Sequence, residues 1–270
     1  MNVGLKAARG CYIGIVEPDD WVEPGMFQCL VELAQQHGAD IAKANYYMEK
    51  NGRSIPSTKL NKIEAGVSHK PEGIPSFMEG APCIWSAVYR REWLQEHGID
   101  FSEAPGASFQ DIGFYVRTWL KAGVIAVTHE AYYHYRENNK GASSRKKEEG
   151  DWAAYKEIEL LADTFQTIPP EAVIIRSILV KRIFATMRAD YRVRIQNAVK
   201  SFLLKYSNLL NRYFPRETLE QNFFTKNEWY DLQLIYTTPL LFPRKSRTRA
   251  NRSSGYSLSA EKPIPASCGF

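Results

Sequence analysis

Three short stretches of this sequence concentrate residues able to do chemistry. The first is Glu17-Pro18-Asp19-Asp20, which follows directly on the apolar run Tyr12-Ile-Gly-Ile-Val16. Carboxylates two apart on an extended turn can share one divalent cation, and hard oxygen ligands suit Mg²⁺ or Mn²⁺. A metal held by so few protein groups keeps positions open for phosphate oxygens. In open α/β sheets ligands bind beyond the carboxyl ends of strands, which is where this cluster falls. The plain structural alternative is that Asp20 or Glu23 caps the helix opening near Pro24.

The second stretch is Pro105-Gly-Ala-Ser-Phe-Gln-Asp111, where a Gly-containing turn gives way to an apolar helix. A carboxylate in the first helical turn is favoured there by the macrodipole alone. Beside a metal site it is also what a general base looks like. The third runs from Tyr132 through His134 and Arg136 to Ser143, Ser144 and Arg145. Arg136 with a Ser-rich basic loop can grip a diphosphate through a charged fork and hydroxyls, or be a solvated loop. His134 alternates with aromatics, a pattern that predicts packing rather than metal ligation.

These residues need elements to hold them. The sequence predicts an α/β domain in its first half. Residues 2–9 read as a helix stopped near Gly10, and Tyr12–Val16 as a strand inside a parallel sheet. A helix over Met26 to Ala34 is closed by Gly38, with a strand from Asp40 to Tyr47. Residues 49–72 read as a polar loop. Strands follow at Ile84–Tyr89, Val124–Val127 and Ala131–Tyr135, with helices at 91–97 and Phe109–Leu120. Beyond Asp151 only helices are expected, at about 151–167, 171–190, 192–213 and 226–237. The expected domains are 1–150, 151–243 and a basic disordered tail at 244–270.

Composition narrows the classes. The chain has 270 residues, 44% of them hydrophobic and 24% charged, so it can bury a core and is not a disordered chain. No run approaches the length of a membrane span, and the start lacks a signal-peptide layout. Four Cys without paired spacing fit reduced thiols in a cytoplasmic protein. The net charge of +5 is uneven: residues 1–150 sum to −2 and residues 151–270 to +7.

Together, Asn2-Val-Gly-Leu5, Ala8-Arg-Gly10, Tyr12-Ile-Gly-Ile-Val16 and Glu17-Pro-Asp-Asp-Trp21 resemble the family 2 glycosyltransferases of bacterial surface-polysaccharide synthesis. Ile84-Trp-Ser-Ala-Val-Tyr-Arg-Arg91, Pro105 to Asp111, and His134-Tyr-Arg136 with Ser143-Ser144 continue the likeness in order, over residues 2 to about 145. The resemblance implies a partial GT-A (Rossmann-like) sheet domain followed by an α-helical C-terminal region. It also implies a nucleotide-sugar donor (a UDP-sugar), a saccharide or lipid-linked acceptor, a divalent metal and an inverting displacement. By position Asp19 matches the metal-binding second acid and Glu17 the first acid, which helps place the ribose or the metal, while Asp20 belongs to the same donor-binding motif. Asp111 matches the base, and Arg136 with Ser143 or Ser144 the diphosphate grip.

The sequence departs from that pattern in two places. The usual acid pair of the base loop is Gln110-Asp111, and Glu17 stands where Asp is common. The chain also begins inside a motif, so we expect it to lack the leading nucleotide-binding strands. The corollary is poor solubility and weak nucleotide-sugar binding by the isolated chain. The alternative function is therefore a truncated, non-catalytic remnant acting as an interaction module. A metal-dependent phosphoryl-transfer or hydrolase site on Glu17, Asp19 and Asp111 is disfavoured, since no Gly-rich phosphate loop or nucleophile motif accompanies it.

Residues 172–214 carry nine Lys or Arg against Asp190 alone. Ile174, Ile175, Ile178, Leu179, Ile183, Phe184 and Met187 form a stripe at helical spacing, with Arg176, Lys181, Arg182, Arg188, Arg192 and Arg194 on the remaining faces. Two readings stand. Either the stripe packs on the catalytic domain, or the element rests on an anionic membrane surface at the inner face. Nucleic acid is not expected as a partner, for no binding motif accompanies the charge.

Overall fold

The computed structural model describes residues 1–79, 81–103, 109–137, 153–193 and 199–242. In chain order its regular elements begin with α1 (Asn2–Ala7), β1 (Tyr12–Gly14), β2 (Trp21–Val22), α2 (Met26–His37), β3 (Ile41–Lys50) and β4 (Arg53–Pro56). Next come β5 (Ser68–His69), β6 (Ala87–Arg90), α3 (Arg91–Glu96), α4 (Gln110–Lys121) and β7 (Ile125–Arg136). The rest is helical: α5 (Ala153–Glu159), α6 (Ala162–Gln166), α7 (Val173–Val193), α8 (Val199–Tyr213) and α9 (Lys226–Thr237). The class is α/β with a helical region after it.

The sheet is mixed, in the order β1-β6-β3-β7-β2, with β4 added to β3 and β5 to β7. Among the described strands only β3 and β7 run parallel. This corrects the expectation that Tyr12–Val16 lies inside a parallel sheet: β1 is three residues long and antiparallel to β6. Only Ile13 and Ile15 of the run are buried, while Val16 is exposed, so an apolar run fixes neither burial of both faces nor the direction of the neighbour. A Cβ at Gly14 would sit 2.3 Å from the Phe27 ring of α2, so any larger residue there must displace that ring.

β7 also corrects the sequence reading, which split it in two. Lys43 pairs with Val127 and Asn45 with Ala131, so β7 spends four residues where β3 spends two. The polar residues Thr128, His129 and Glu130 form that bulge rather than a break. Asn45 fills it, donating to the His129 carbonyl at 3.0 Å and to Asn61 at 2.9 Å, and accepting from the Leu60 amide. The supposed loop at 49–72 holds β4, a 3₁₀ turn at Lys59–Lys62 and β5. A polar strand paired on an exposed edge leaves no apolar period to read.

Helix α2 shows the local rules at work. Met26, Leu30 and Ala34 recur every four residues and are buried. Gly38, at φ 58°, ends the helix and donates back to Ala34 and Gln35. Asp40 then ties three strands together. It accepts from Arg90 Nη2 at 2.6 Å, from the Gly123 amide at 2.7 Å and from the Val124 amide at 3.2 Å.

The hydrophobic core is continuous from the sheet into the helices beyond residue 150. Ile178, Leu179, Ile183, Phe184 and Met187 of α7 are buried in it, so protein covers most of the apolar stripe, whereas Ile174 is exposed. The picture of arginines crowding solvent faces also needs correction. Arg176 is buried, donating to the Ile168 carbonyl at 3.0 Å and to Thr218 Oγ1 at 2.9 Å, and Arg182 is buried too. Periodicity cannot tell a solvated arginine from one that caps carbonyls inside a helical bundle. No helix among the described residues is long and apolar enough to cross a membrane. The tail at 244–270 lies outside the described residues.

Candidate functional site

The carboxylate turn leaves β1 and re-enters the sheet as β2, which pairs with β7 through Trp21–His134 and Val22–Tyr133. That pairing places Tyr133 under the turn. Its hydroxyl accepts from the Glu17 amide at 3.0 Å and donates to Asp20 Oδ2 at 2.9 Å. Asp20 Oδ1 accepts from the Arg136 amide at 2.9 Å. Both Asp20 oxygens are thus engaged with β7. Helix α2 is entered through Gly25, at φ 86°, with no side-chain cap. The capping alternative for Asp20 and Glu23 is overturned: β-pairing draws Asp20 to β7 before the helix begins.

Arg136 lies exposed at the end of β7, its guanidinium 5.0 Å from the Trp21 ring centroid. The strand alternates cleanly. Tyr133 and Tyr135 stack on Trp85 on one face, at 4.2 and 5.4 Å, while His134 stacks on Trp21 on the other at 4.7 Å. His134 is packed, as the sequence pattern predicts.

The turn is electrostatically loaded. Partial burial, followed by the charges of Asp19 and Asp20, pushes the Glu17 carboxyl above its usual range. Asp20 is also raised, chiefly by burial, against the opposing Arg136 amide and Tyr133 hydroxyl. Among the described residues no three His, Cys, Asp or Glu side chains form a ready-made metal cage. What Glu17 and Asp19 offer is hard oxygens under mutual repulsion, a donor set that fits a divalent cation completed by other oxygens.

Asp111 stands in the first turn of α4, after Phe109 at φ 73°. A non-glycine residue in that region stores about 1–2 kcal/mol of backbone strain. Burial lifts the Asp111 carboxyl to about 6, opposed by the Arg182 guanidinium and nearby amides, and reinforced by Glu157. Arg182 comes from α7, and burial lowers its own value. It also lines a cavity of about 670 Å³ whose walls include Met78, Glu79, Ile178, Lys181 and Phe223.

A packed path runs between the two carboxylate regions. Trp85, stacked on Tyr133, precedes Ser86, whose Oγ accepts from Lys43 Nζ at 2.9 Å. Lys43 is buried, donates also to the Cys83 carbonyl, and lies 5.7 Å from the ring of Tyr115, one turn after Asp111. Burial lowers the Lys43 ammonium to about 8.

The structure thus brings Glu17, Asp19, Asp20 and Arg136 to one locus and places Asp111 at another, on α4. Ser143 and Ser144 lie outside the described residues. Sequence reasoning missed Tyr133, Trp85, Lys43 and Arg182. Tyr133 was open to inference, because strand alternation sets it opposite His134 and Arg136. Trp85 was visible only as part of the Ile84–Arg91 likeness, and Lys43 and Arg182 carry no local signal, since their partners come from distant segments.

Residues 1–98 match the family model described as glycosyl transferase family 2. The chain is 32% identical over 145 residues to the "Uncharacterized glycosyltransferase EpsJ" of Bacillus subtilis (strain 168), covering 51% of this chain and 41% of that protein. It is 28% identical over 150 residues to the "Uncharacterized glycosyltransferase YibD" of Escherichia coli (strain K12), covering 53% and 42% respectively. The chain thus spans about two fifths of the length of the curated relatives it matches. Its fold is similar to that of S. aureus TarS 1–349, crystallised in complex with UDP-GlcNAc. The TM-score is 0.70 at 18% identity, over 95% of this chain and 72% of that one.

Proposed function

We propose, on the match of residues 1–98 to the model of glycosyl transferase family 2, that the chain transfers a sugar from a nucleotide-diphosphate donor to an acceptor hydroxyl in surface-polysaccharide assembly. The observation that carries this reading is the double engagement of Asp20. Through Tyr133 and the Arg136 amide it sets an exposed guanidinium next to a charged carboxylate turn. That pairing of a cation fork with carboxylate oxygens able to share a divalent cation suits a diphosphate. A structural relative crystallised with UDP-GlcNAc supports a UDP-sugar as the donor class.

In this reading Arg136, with Ser143 or Ser144, holds the diphosphate and offsets charge growing on it. Glu17 and Asp19 would hold Mg²⁺ or Mn²⁺, which supplies Lewis-acid stabilisation of the leaving diphosphate. Asp111 takes the proton of the acceptor hydroxyl as that oxygen bonds to the anomeric carbon. The bond from that carbon to the diphosphate oxygen breaks on the opposite side, inverting the centre. We place the acceptor, a saccharide or lipid-linked saccharide, on the cavity beside Arg182. Residues 1–150 then serve as the catalytic unit and 151–243 as the helical unit that lends it Arg182.

Saturation-transfer NMR with UDP and Mn²⁺, which registers weak complexes, tests the donor side. Wild type and Asp111→Asn should give a UDP signal, while Arg136→Ala and Asp19→Asn should lose most of it. No signal in wild type, or equal signals in all four proteins, would overturn the assignment. Binding retained without turnover on any acceptor would favour the interaction-module alternative.

A further inference from the structure

We propose that the cavity beside Arg182 is a sugar site read by the helical region. An uncharged pyranose lies there with its C–H face on the Phe223 ring and its hydroxyl edge on Glu79, Lys181 and Asn222. The cavity holds about 670 Å³, inside the range of about 300–1,000 Å³ usual for small-molecule sites. Part of its wall is apolar, with Met78 and Ile178 buried and Phe223 partly buried. Phe223 ends the 3₁₀ turn Gln221–Phe223, and its neighbour Phe224 is buried with its ring 5.4 Å from that of Trp229. With Phe224 taken into the core, Phe223 is the ring left to the cavity.

The polar part of the wall fits hydroxyls rather than an ion. Glu79 lies 3.1 Å from Lys181 Nζ and 3.3 Å from Lys62 Nζ. An ammonium has three donors and a carboxylate about four acceptor sites, so this pair keeps capacity beyond its own bond. Asn222 Nδ2 donates to Glu220 Oε1 at 3.0 Å, which orients its amide. Along the wall Glu79 and Glu228 balance Lys181 and Arg182, so no net sign selects an anion or a cation. A lipid chain would desolvate these groups without pairing them, which is costly. A pyranose has the matching halves: C–H groups that pack on an aromatic face, and hydroxyls around its edge that both donate and accept.

The consequence is a division of labour. Phe223, Asn222 and Lys181 come from the helical region, while the segment before β6 lends Met78 and Glu79. The family match ends at residue 98, so most of the groups that read the sugar lie outside it. Arg182 lines the same cavity and its charge acts on Asp111. One side chain therefore joins the sugar site to the carboxyl assigned as base. That the bound sugar is the acceptor rests on the function proposed above, whereas the capture of a sugar ring by this cavity does not.

Saturation-transfer NMR on the full chain, without UDP or metal, tests the site with the methyl β-pyranosides of glucose, galactose and N-acetylglucosamine. At least one should give a signal, strongest at the protons of one ring face. Phe223→Ala should remove most of it, and Phe223→Tyr, which keeps the ring, should retain it. Asn222→Ala, a change at an exposed residue, should weaken binding about 3-fold or more. Silence from all three sugars, or equal signals in wild type, Phe223→Ala and Asn222→Ala, overturns the proposal. Should Phe223→Ala not fold, the wild-type signal and Asn222→Ala still decide. Two competitors complete the test: glucuronate displacing the sugar at lower concentration would reveal an anion site, and hexanol doing so a lipid site, and either result overturns the proposal. A sugar signal without a UDP signal would sink the donor-site assignment and leave this one standing; a UDP signal without any sugar signal would do the reverse.

Discussion

The carboxylates of the β1–β2 turn and the carboxylate of α4 are the same chemical group in opposite surroundings. Glu17 and Asp20 are partly buried beside one another and are fastened by hydrogen bonds to β7. Asp111 is desolvated, with one buried arginine opposite, and its carboxyl is raised to about 6. The first environment accumulates negative charge for a cation to neutralise. The second makes one carboxyl basic enough to accept a proton near neutral pH. Environments that separate the proton affinities of like groups assign them different tasks.

The largest expected effect comes from removing Asp111, the proposed base. Asp111→Asn should cut transfer by about 10²–10⁴-fold, measured as UDP release with acceptor present. A fall smaller than about tenfold would erase the distinction between the two regions.

Next is the fastening of the turn. Tyr133→Phe leaves the Glu17 amide and Asp20 Oδ2 without their partner while keeping the stack on Trp85. We expect a loss of about 1–3 kcal/mol in denaturant unfolding. An unchanged midpoint would show that the turn is not held from β7.

The third prediction uses pH. Asp111 has a folded-state value near 6, above the unfolded value of about 4. Its protonated form therefore favours folding, a contribution complete below about pH 4 and lost as pH rises through about 6. Asp111→Asn should accordingly be more stable than wild type by about 1–3 kcal/mol at neutral pH and equal to it in acid. The transfer rate should fall as pH drops through about 6. Arg182→Met should move that acid limb upward, because Arg182 opposes the rise.

The smallest effect is confined to the helical region. Thr225 caps α9, accepting from the Glu228 amide while Glu228 returns a bond to the Thr225 amide. Thr225→Ala should cost about 1 kcal/mol in unfolding, with the rate's pH profile unmoved. A shifted profile would mean the helices govern Asp111 through more than Arg182.

How far the sequence could be read follows the range of the forces involved. Helix α2 was legible to its last residue, because a buried stripe and a left-handed glycine are local features. The order of the carboxylate turn, the α4 acid and the β7 arginine was legible as well, since those residues sit in short runs. Strand direction was not, for the apolar run before Glu17 is the same whichever way its neighbour points. Nor was the unity of β7, whose bulge is filled by Asn45, more than eighty residues away.

Residue type and local spacing, then, determined where charge, turns and helices lie along this chain. They singled out Glu17, Asp19, Asp20, Asp111 and Arg136 as candidate groups. Only the tertiary structure decided which of them meet. It turned Asp20 from a possible helix cap into the link between Glu17 and Arg136, and buried Arg182 against Asp111. The physical reason is that burial and pairing across long sequence separations set the dielectric and the partners of an ionisable group. Neither quantity is carried by the residue itself.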